Sequence, residues 1–244
     1  MMNNDEKIVK GYVIRNVQYR EKDAIITCLS EEGLICFKAA GILDIKSKNS
    51  ACCLLYSYSE FVLGNKNDKY YLIKGKCINS NFKMYESIEI MCCLGMVSES
   101  IANFLGEANS TIYSFFSKLM EGINNGFDIL TLSAINLAKI IIDSGYSLIT
   151  SSCVRCGEKT NIVSLSYDDG GFVCRHCFTN GDVHENTEYL KSVRYTFMVD
   201  IDNCYHYTLD RNIAIRLIKE YCNYLLKEFG LRKVSFYELF NQLF

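Results

Sequence analysis

The chain has 244 residues, 49% of them hydrophobic and 13% aromatic, which excludes a disordered polymer and leaves room for one large domain or two to three small ones. No apolar run approaches the roughly 20 residues of a membrane span, and the polar start Met1-Met2-Asn3-Asn4-Asp5-Glu6-Lys7 predicts no secretory leader. Net charge is −2, but residues 1–83 carry 13 Lys and Arg against 9 Asp and Glu, and the remainder 13 against 19; a basic N-terminal module on an acidic body is compatible with an anionic polymer as partner.

From Ile8 to about residue 78 the chain reads as five short strands. Ile8–Arg15 is the first. Ala24–Leu29 and Leu34–Ala39 follow, joined by Ser30-Glu31-Glu32-Gly33, a Glu-Gly turn between β-branched runs and so a hairpin signal. Leu54–Leu63 and Lys69–Cys77 flank the loop Gly64-Asn65-Lys66-Asn67-Asp68. Five short strands in this span fit a closed barrel of the OB type, though an SH3-like barrel needs a similar count. Lys10, Arg15, Arg20 and Lys22 cluster near the first strand and its loop. Lys38, Lys46 and Lys48 bracket the loop after the third strand, and Lys74 and Lys76 alternate on the fifth. Tyr56 and Tyr58 take alternate positions of the fourth strand and are expected on one face. Cations that track phosphates beside aromatics on which bases stack are how sequence-tolerant single-strand binders work, so these nine cations are the candidate nucleic-acid contacts. The bland alternative is a solvated face of Lys above half-buried Tyr.

From Glu86 the apolar period changes from two to about 3.6. Ile88, Met91, Cys92, Val97, Ile101, Phe104 and Leu105 make one stripe. Ile112, Phe115, Phe116, Leu119, Met120 and Ile123 make a second. Ile129–Asp143 is apolar on most sides and predicts a central helix, capped at Gly145.

Then come Cys153-Val154-Arg155-Cys156, 17 intervening residues, and Cys174-Arg175-His176-Cys177. Two thiolates two residues apart reach one ion from a tight turn, and a second such turn completes a tetrahedron of sulfurs, so the spacing predicts one zinc per chain. A closed shell of four sulfurs leaves no position for water or substrate, which makes the metal structural. Gly157 suits the knuckle turn, Gly170 and Gly171 the returning hairpin. His176, between two cysteines, is an alternative ligand. The other nine of the 13 cysteines sit mainly in apolar segments, as expected of reduced thiols in a cytoplasmic protein. Helical pattern resumes at Thr187–Val199 and at Thr208–Phe229, with Thr208 as N-cap and Gly230 as terminator, and a short amphipathic piece, Ser235–Phe244, follows. The fold class is therefore α+β. It comprises an OB-type β-barrel over residues 1–80 and an α-helical domain in two parts, 81–150 and 183–244, with a four-cysteine zinc ribbon inserted at 151–182.

The sequence offers no bond-making constellation. Of the three histidines, His184 opens His184-Glu185-Asn186-Thr187-Glu188, which has Glu where a zinc protease needs its second His. No phosphate-binding loop, nucleophile elbow or dinucleotide fingerprint is present, and the expectation is a protein that is not an enzyme. Two other classes stay open at this stage: an RNA- or ribosome-associated zinc-ribbon binding protein, and a thiol oxidoreductase using the two Cys-x-x-Cys pairs.

Gly11-Tyr12-Val13-Ile14 with Tyr19-Arg20-Glu21-Lys22-Asp23, Gly33, the loop Ala39-Ala40-Gly41 through Lys46-Ser47-Lys48, the ribbon, and Gly230-Leu231-Arg232-Lys233 occur in an order that resembles the RecO family of bacterial DNA repair and recombination mediators. The resemblance spans nearly the whole chain. It departs from the family at Ile42-Leu43-Asp44-Ile45, where the family loop tends to be more basic. It implies an OB barrel with a helical body and binding of single- and double-stranded DNA. It also implies annealing of complementary strands, work with RecR and single-strand binding protein, and through them the loading of RecA. The expected location is the cytoplasm, with the nucleoid.

Overall fold

The computed structural model describes residues 6–44, 46–106, 109–231 and 235–244. Five strands, β1 (Lys7–Tyr19), β2 (Asp23–Ser30), β3 (Gly33–Ala39), β4 (Tyr58–Lys66) and β5 (Lys69–Asn79), close into a barrel of order β1-β2-β3-β5-β4. β1 pairs antiparallel with β2 and β4, and only Phe37–Tyr70 and Lys38–Tyr71 close the parallel β3–β5 seam. This is the OB-type arrangement expected. Alternation points Val13, Ala24, Ile26, Cys28, Phe37, Phe61 and Leu63 inward, where Phe37 and Phe61 meet at 4.9 Å between ring centroids. A 3-10 turn at Ala51–Cys53 adds Cys52 and Cys53 to this core; a Cβ on Gly75 would lie 2.1 Å from the Cys52 sulfur, so that close approach requires glycine.

Two local expectations are corrected. The fourth strand begins at Tyr58 and not Leu54, because residues 54–57 complete the turn that seats the cysteines. Tyr56 is consequently outside the strand, buried, with φ of 65°, and shares no strand face with Tyr58. Tyr58 itself packs on Tyr12 at 4.8 Å and hydrogen-bonds Tyr113 at 3.4 Å, so this tyrosine pair is packing and not a base platform.

The helices are α1 (Ile88–Phe104), α2 (Ser110–Asn125), α3 (Ile129–Asp143), α4 (Thr187–Met198), α5 (Arg211–Glu228) and α6 (Ser235–Leu243). The chain divides into two compact units, residues 1–91 with 101–114 and residues 92–100 with 115–244. In the second unit α3 is buried from Ile129 through Ile141, as its all-round apolar surface predicts, and Asp128 caps it by accepting from the Thr131 amide at 2.7 Å. α5 starts three residues later than expected. Asp210, and not Thr208, is its N-cap, accepting from Asn212 and Ile213, because a carboxylate offers the stronger acceptor at the positive helix end. No helix among the described residues is long and apolar enough to cross a membrane.

Lys139 on α3 is buried, and its ammonium donates to the carbonyls of Phe197 at 2.8 Å and Val199 at 2.7 Å, at the C-terminal end of α4. Burial, opposed only partly by Asp200, lowers Lys139 to about 8. Its unfolded value lies near 10.4. Between those values the unfolded chain holds more protons than the native one, so stability at this position rises as pH increases from 8 toward 10. Relative to Lys139→Met, wild-type unfolding free energy in urea is expected to gain on the order of 2 kcal/mol over that window; a pH-independent difference would count against a buried ammonium.

Candidate metal centre and nucleic-acid interface

The ribbon is a three-stranded sheet, β6 (Ile149–Cys153), β7 (Ile162–Ser166) and β8 (Gly171–Cys174), in the order β6-β8-β7. Each cysteine pair sits on a tight turn. The Gly157 amide donates to the Cys153 carbonyl at 2.8 Å, with Gly157 at a φ of 80° that an L side chain resists, and the Cys177 amide donates to the Cys174 carbonyl at 3.1 Å. The turns bring all four sulfurs within 4.8 Å of one another, with Cys156 and Cys174 3.6 Å apart. A tetrahedral zinc with bonds near 2.3 Å needs sulfur–sulfur edges of about 3.8 Å, so the cage is of the right size. Burial resists a thiolate at Cys153, but amides of Cys174, Arg155 and Cys156 and the Cys156 thiol outweigh it and hold Cys153 down at about 6. A pre-formed thiolate among crowded thiols suits a cation. Four thiols of one cage fit the group: Cys153, Cys156, Cys174 and Cys177 are able to hold one metal ion. Exposed His176 is not among the clustered side chains.

Arg155, inside the first knuckle, clasps the second. Its guanidinium donates to the Cys177 carbonyl at 2.6 Å, to Asp182 at 2.7 Å and to Asp169. The same contacts hold the Asp182 carboxyl far below its ordinary range. Outer partners that orient a ligand typically alter metal affinity 10–100-fold, so Arg155→Ala is expected to weaken zinc retention by about that factor in a chelator competition; unchanged retention would make the clasp irrelevant to the metal. A polar cluster anchors the ribbon to the helices. Glu220 of α5 accepts from Tyr167 at 3.0 Å and from Tyr189, while Arg216 holds Glu220 at 2.7 Å and Glu185 at 2.6 Å.

The barrel's cations fall into two groups. Arg15, Val17 and Tyr19 of β1 register with Thr27, Ile25 and Asp23 of β2, and Thr27 and Ile25 with Cys36 and Lys38 of β3, forming one outward face. At its end a cleft of about 700 Å³ opens beside the short β3–β5 seam, its lining including Tyr19, Lys38, Lys66, Lys69, Tyr70 and Tyr71 and one carboxylate, Asp68. The β4–β5 connection narrows to Asn67-Asp68, both at positive φ, which sets Lys66 and Lys69 opposite each other. Lys38 lies over the Tyr19 ring at 5.6 Å and pairs with Asp23 at 2.7 Å, and Arg20 lies over the same ring at 5.3 Å. Lys22 pairs with Asp44 at 3.0 Å, which stitches the β1–β2 turn to the loop carrying Lys46 and Lys48. Arg15, Arg20, Lys46, Lys48, Lys66 and Lys69 are exposed and form no ion pair among the described residues.

Lys10, Lys74 and Lys76 lie elsewhere. Lys10 and Lys76 flank Glu60 across β1, β4 and β5, with Lys10 bonded to Glu60 at 3.2 Å. Lys76 is seven residues along β5 from Lys69, about 23 Å at strand rise. Lys66, Lys69, Tyr19, Tyr70 and Tyr71, which line the cleft, are not among the cations and aromatics that the sequence singled out as candidate contacts. The signal was the string Lys66-Asn67-Asp68-Lys69-Tyr70-Tyr71, a tight turn between cations that runs into paired aromatics.

The family description "Recombination protein O N terminal" matches residues 2–81, and "Recombination protein O C terminal" matches residues 86–234. The chain belongs to the RecO family. Relatives named DNA repair protein RecO include that of Caldicellulosiruptor bescii, 24% identical over 208 residues that cover 84% of this chain and 85% of the relative. That of Syntrophomonas wolfei is 25% identical over 174 residues, covering 69% and 68%, and that of Listeria monocytogenes is 26% identical over 198 residues, covering 79% and 78%.

Proposed function

We propose that this chain is a DNA-repair mediator of the cytoplasm and nucleoid. It binds single- and double-stranded DNA on the barrel, anneals complementary strands, and helps load a recombinase on strands coated by single-strand binding protein, with RecR as co-worker and RecA as the indirect beneficiary. The observation that carries this reading is the cleft. The face of strands two and three with the loops between strands one and two and between four and five is where OB barrels take oligonucleotides, and here it gathers cations with tyrosines. Arg15, Arg20, Lys38, Lys66 and Lys69 follow phosphates, and Lys22, Lys46 and Lys48 border the track. Lys10, Lys74 and Lys76 serve at most a more remote stretch of duplex.

In this reading the metal is zinc, structural, one per chain, on Cys153, Cys156, Cys174 and Cys177. The convergence of all four sulfurs on one point favours a shared ion over two separate redox dithiols. No nucleotide is consumed and no bond is made, so the protein acts as a binding scaffold and not as an enzyme. The test is strand annealing with and without single-strand binding protein, together with oligonucleotide binding across a salt series. Annealing that survives the coating protein and affinity that falls steeply with salt are expected. Absent or salt-independent binding would defeat the reading, and preference for a matched RNA would move it to the RNA class.

A further inference from the structure

The second unit holds a basic groove that the barrel site does not use. It runs between the ribbon and α4, has a volume of about 200 Å³, and is lined by Lys159, Asn161, Phe172, Thr187, Lys191 and Arg194 among others, with no carboxylate in its lining. Its surroundings make that composition informative. The chain beyond residue 83 is acidic, and Lys118, Arg155, Arg216 and Lys227 of the second unit are each held by a carboxylate. Lys159, Lys191 and Arg194 have no ion pair among the described residues. Glu158, the nearest acid in sequence to Lys159, turns back on Thr160, accepting from its amide and hydroxyl at 2.8 Å each.

Arg194 is pre-positioned. Its Nε donates to the Thr150 carbonyl at 2.8 Å and its guanidinium lies over Phe172 at 5.4 Å, an arrangement that fixes the planar fork and leaves its terminal N–H groups for an incoming acceptor. Arg175, exposed, continues the basic edge, its amide bonded to the Asn161 carbonyl at 2.9 Å. The volume is below the roughly 300–1,000 Å³ of small-molecule sites, so the groove suits a stretch of polyanion passing over it and not an enclosed metabolite.

We propose that this groove is a second phosphate-binding track, which takes the backbone of a second nucleic-acid strand while the barrel holds the first. The inference rests on the DNA-binding reading above and adds to it a reason for annealing: one chain carries two strands. It also assigns the ribbon a role, since Lys159 and Asn161 lie between the two knuckles.

The test uses the full chain and the double variant Lys159→Glu/Lys191→Glu. Both lysines are exposed and outside the core, so the fold and zinc content should be unchanged by circular dichroism and metal analysis. A titration in the tight-binding regime with an oligonucleotide of about 12 nucleotides, the span of one barrel site, counts strands per chain. Two strands are expected for wild type and one for the variant, with first-strand affinity within two-fold and the annealing rate down at least ten-fold. Wild type that holds one strand, or a variant with wild-type stoichiometry and annealing rate, overturns the second track and leaves the barrel reading standing. A wild-type chain that binds no strand overturns both.

Discussion

Cys174→Ser is expected to abolish metal retention and unfold the ribbon, with a fall in Tm on the order of 10–15 °C. Cys174 is fully buried at the end of β8, the central strand of the ribbon sheet, and its sulfur sits 3.6 Å from Cys156. A ribbon of this length has too little core to hold itself, so metal binding supplies much of its folding free energy; structural zinc is worth about 10–16 kcal/mol in isolated fingers. Loss of even roughly 4 kcal/mol here translates to the stated fall at about 2–4 °C per kcal/mol for a chain of this size. The effect reaches past the ribbon, because Tyr167 and Glu185 join it to Glu220 and Arg216 of α5. Differential scanning calorimetry of the variant, and of wild type dialysed against chelator, should give the same lowered transition. A metal-free wild-type protein with an unchanged transition would refute the structural zinc.

The second large effect is on DNA. Lys66→Glu/Lys69→Glu should lower single-strand affinity at least ten-fold near 0.1 M salt and flatten the log–log salt dependence by about 1.4, at about 0.7 per lost phosphate contact. Both side chains are exposed at the β4–β5 turn, so the loss reports contact and not folding. Tyr19→Ala removes the ring that Lys38 and Arg20 both approach, and a stacked base is worth about 1–3 kcal/mol, a weakening of about five- to 150-fold. Lys74→Glu/Lys76→Glu, about 20 Å away along β5, is expected to stay within two-fold. Fluorescence anisotropy measures all three. Equal losses from both lysine pairs would show a diffuse electrostatic surface in place of a defined track.

How much of this was legible depends on the range of the interaction. The Cys-x-x-Cys pairs announced a common site because each pair is a local turn, and α3 announced its burial because a helix apolar all round has one stable environment. The number of barrel strands followed from hairpin signals and count, whereas their order, with the parallel β3–β5 closure, came only from the structure. The Tyr56–Tyr58 platform failed because alternation was extended across a boundary: a buried cysteine turn had already ended regular strand geometry at residues 54–57. The cap of α5 was misplaced by two residues because Thr208 and Asp210 both match the cap preference, and the carboxylate, the stronger acceptor at the helix end, took the position.

By itself the sequence determined most of the elements and the sulfur cage, each written in spacing within some 30 residues, and the family likeness, written in the order of motifs along nearly the whole chain. Tertiary structure alone decided which cations stand together. Closing the barrel laid Lys38 beside Lys66 and Lys69 and sent Lys10, Lys74 and Lys76 elsewhere, and docking the ribbon on α4 brought Lys159 to Lys191 and Arg194. A charge acts through space and not along the chain. Its partners are therefore fixed by strand register and helix packing, which bring together residues that no sequence interval marks as neighbours.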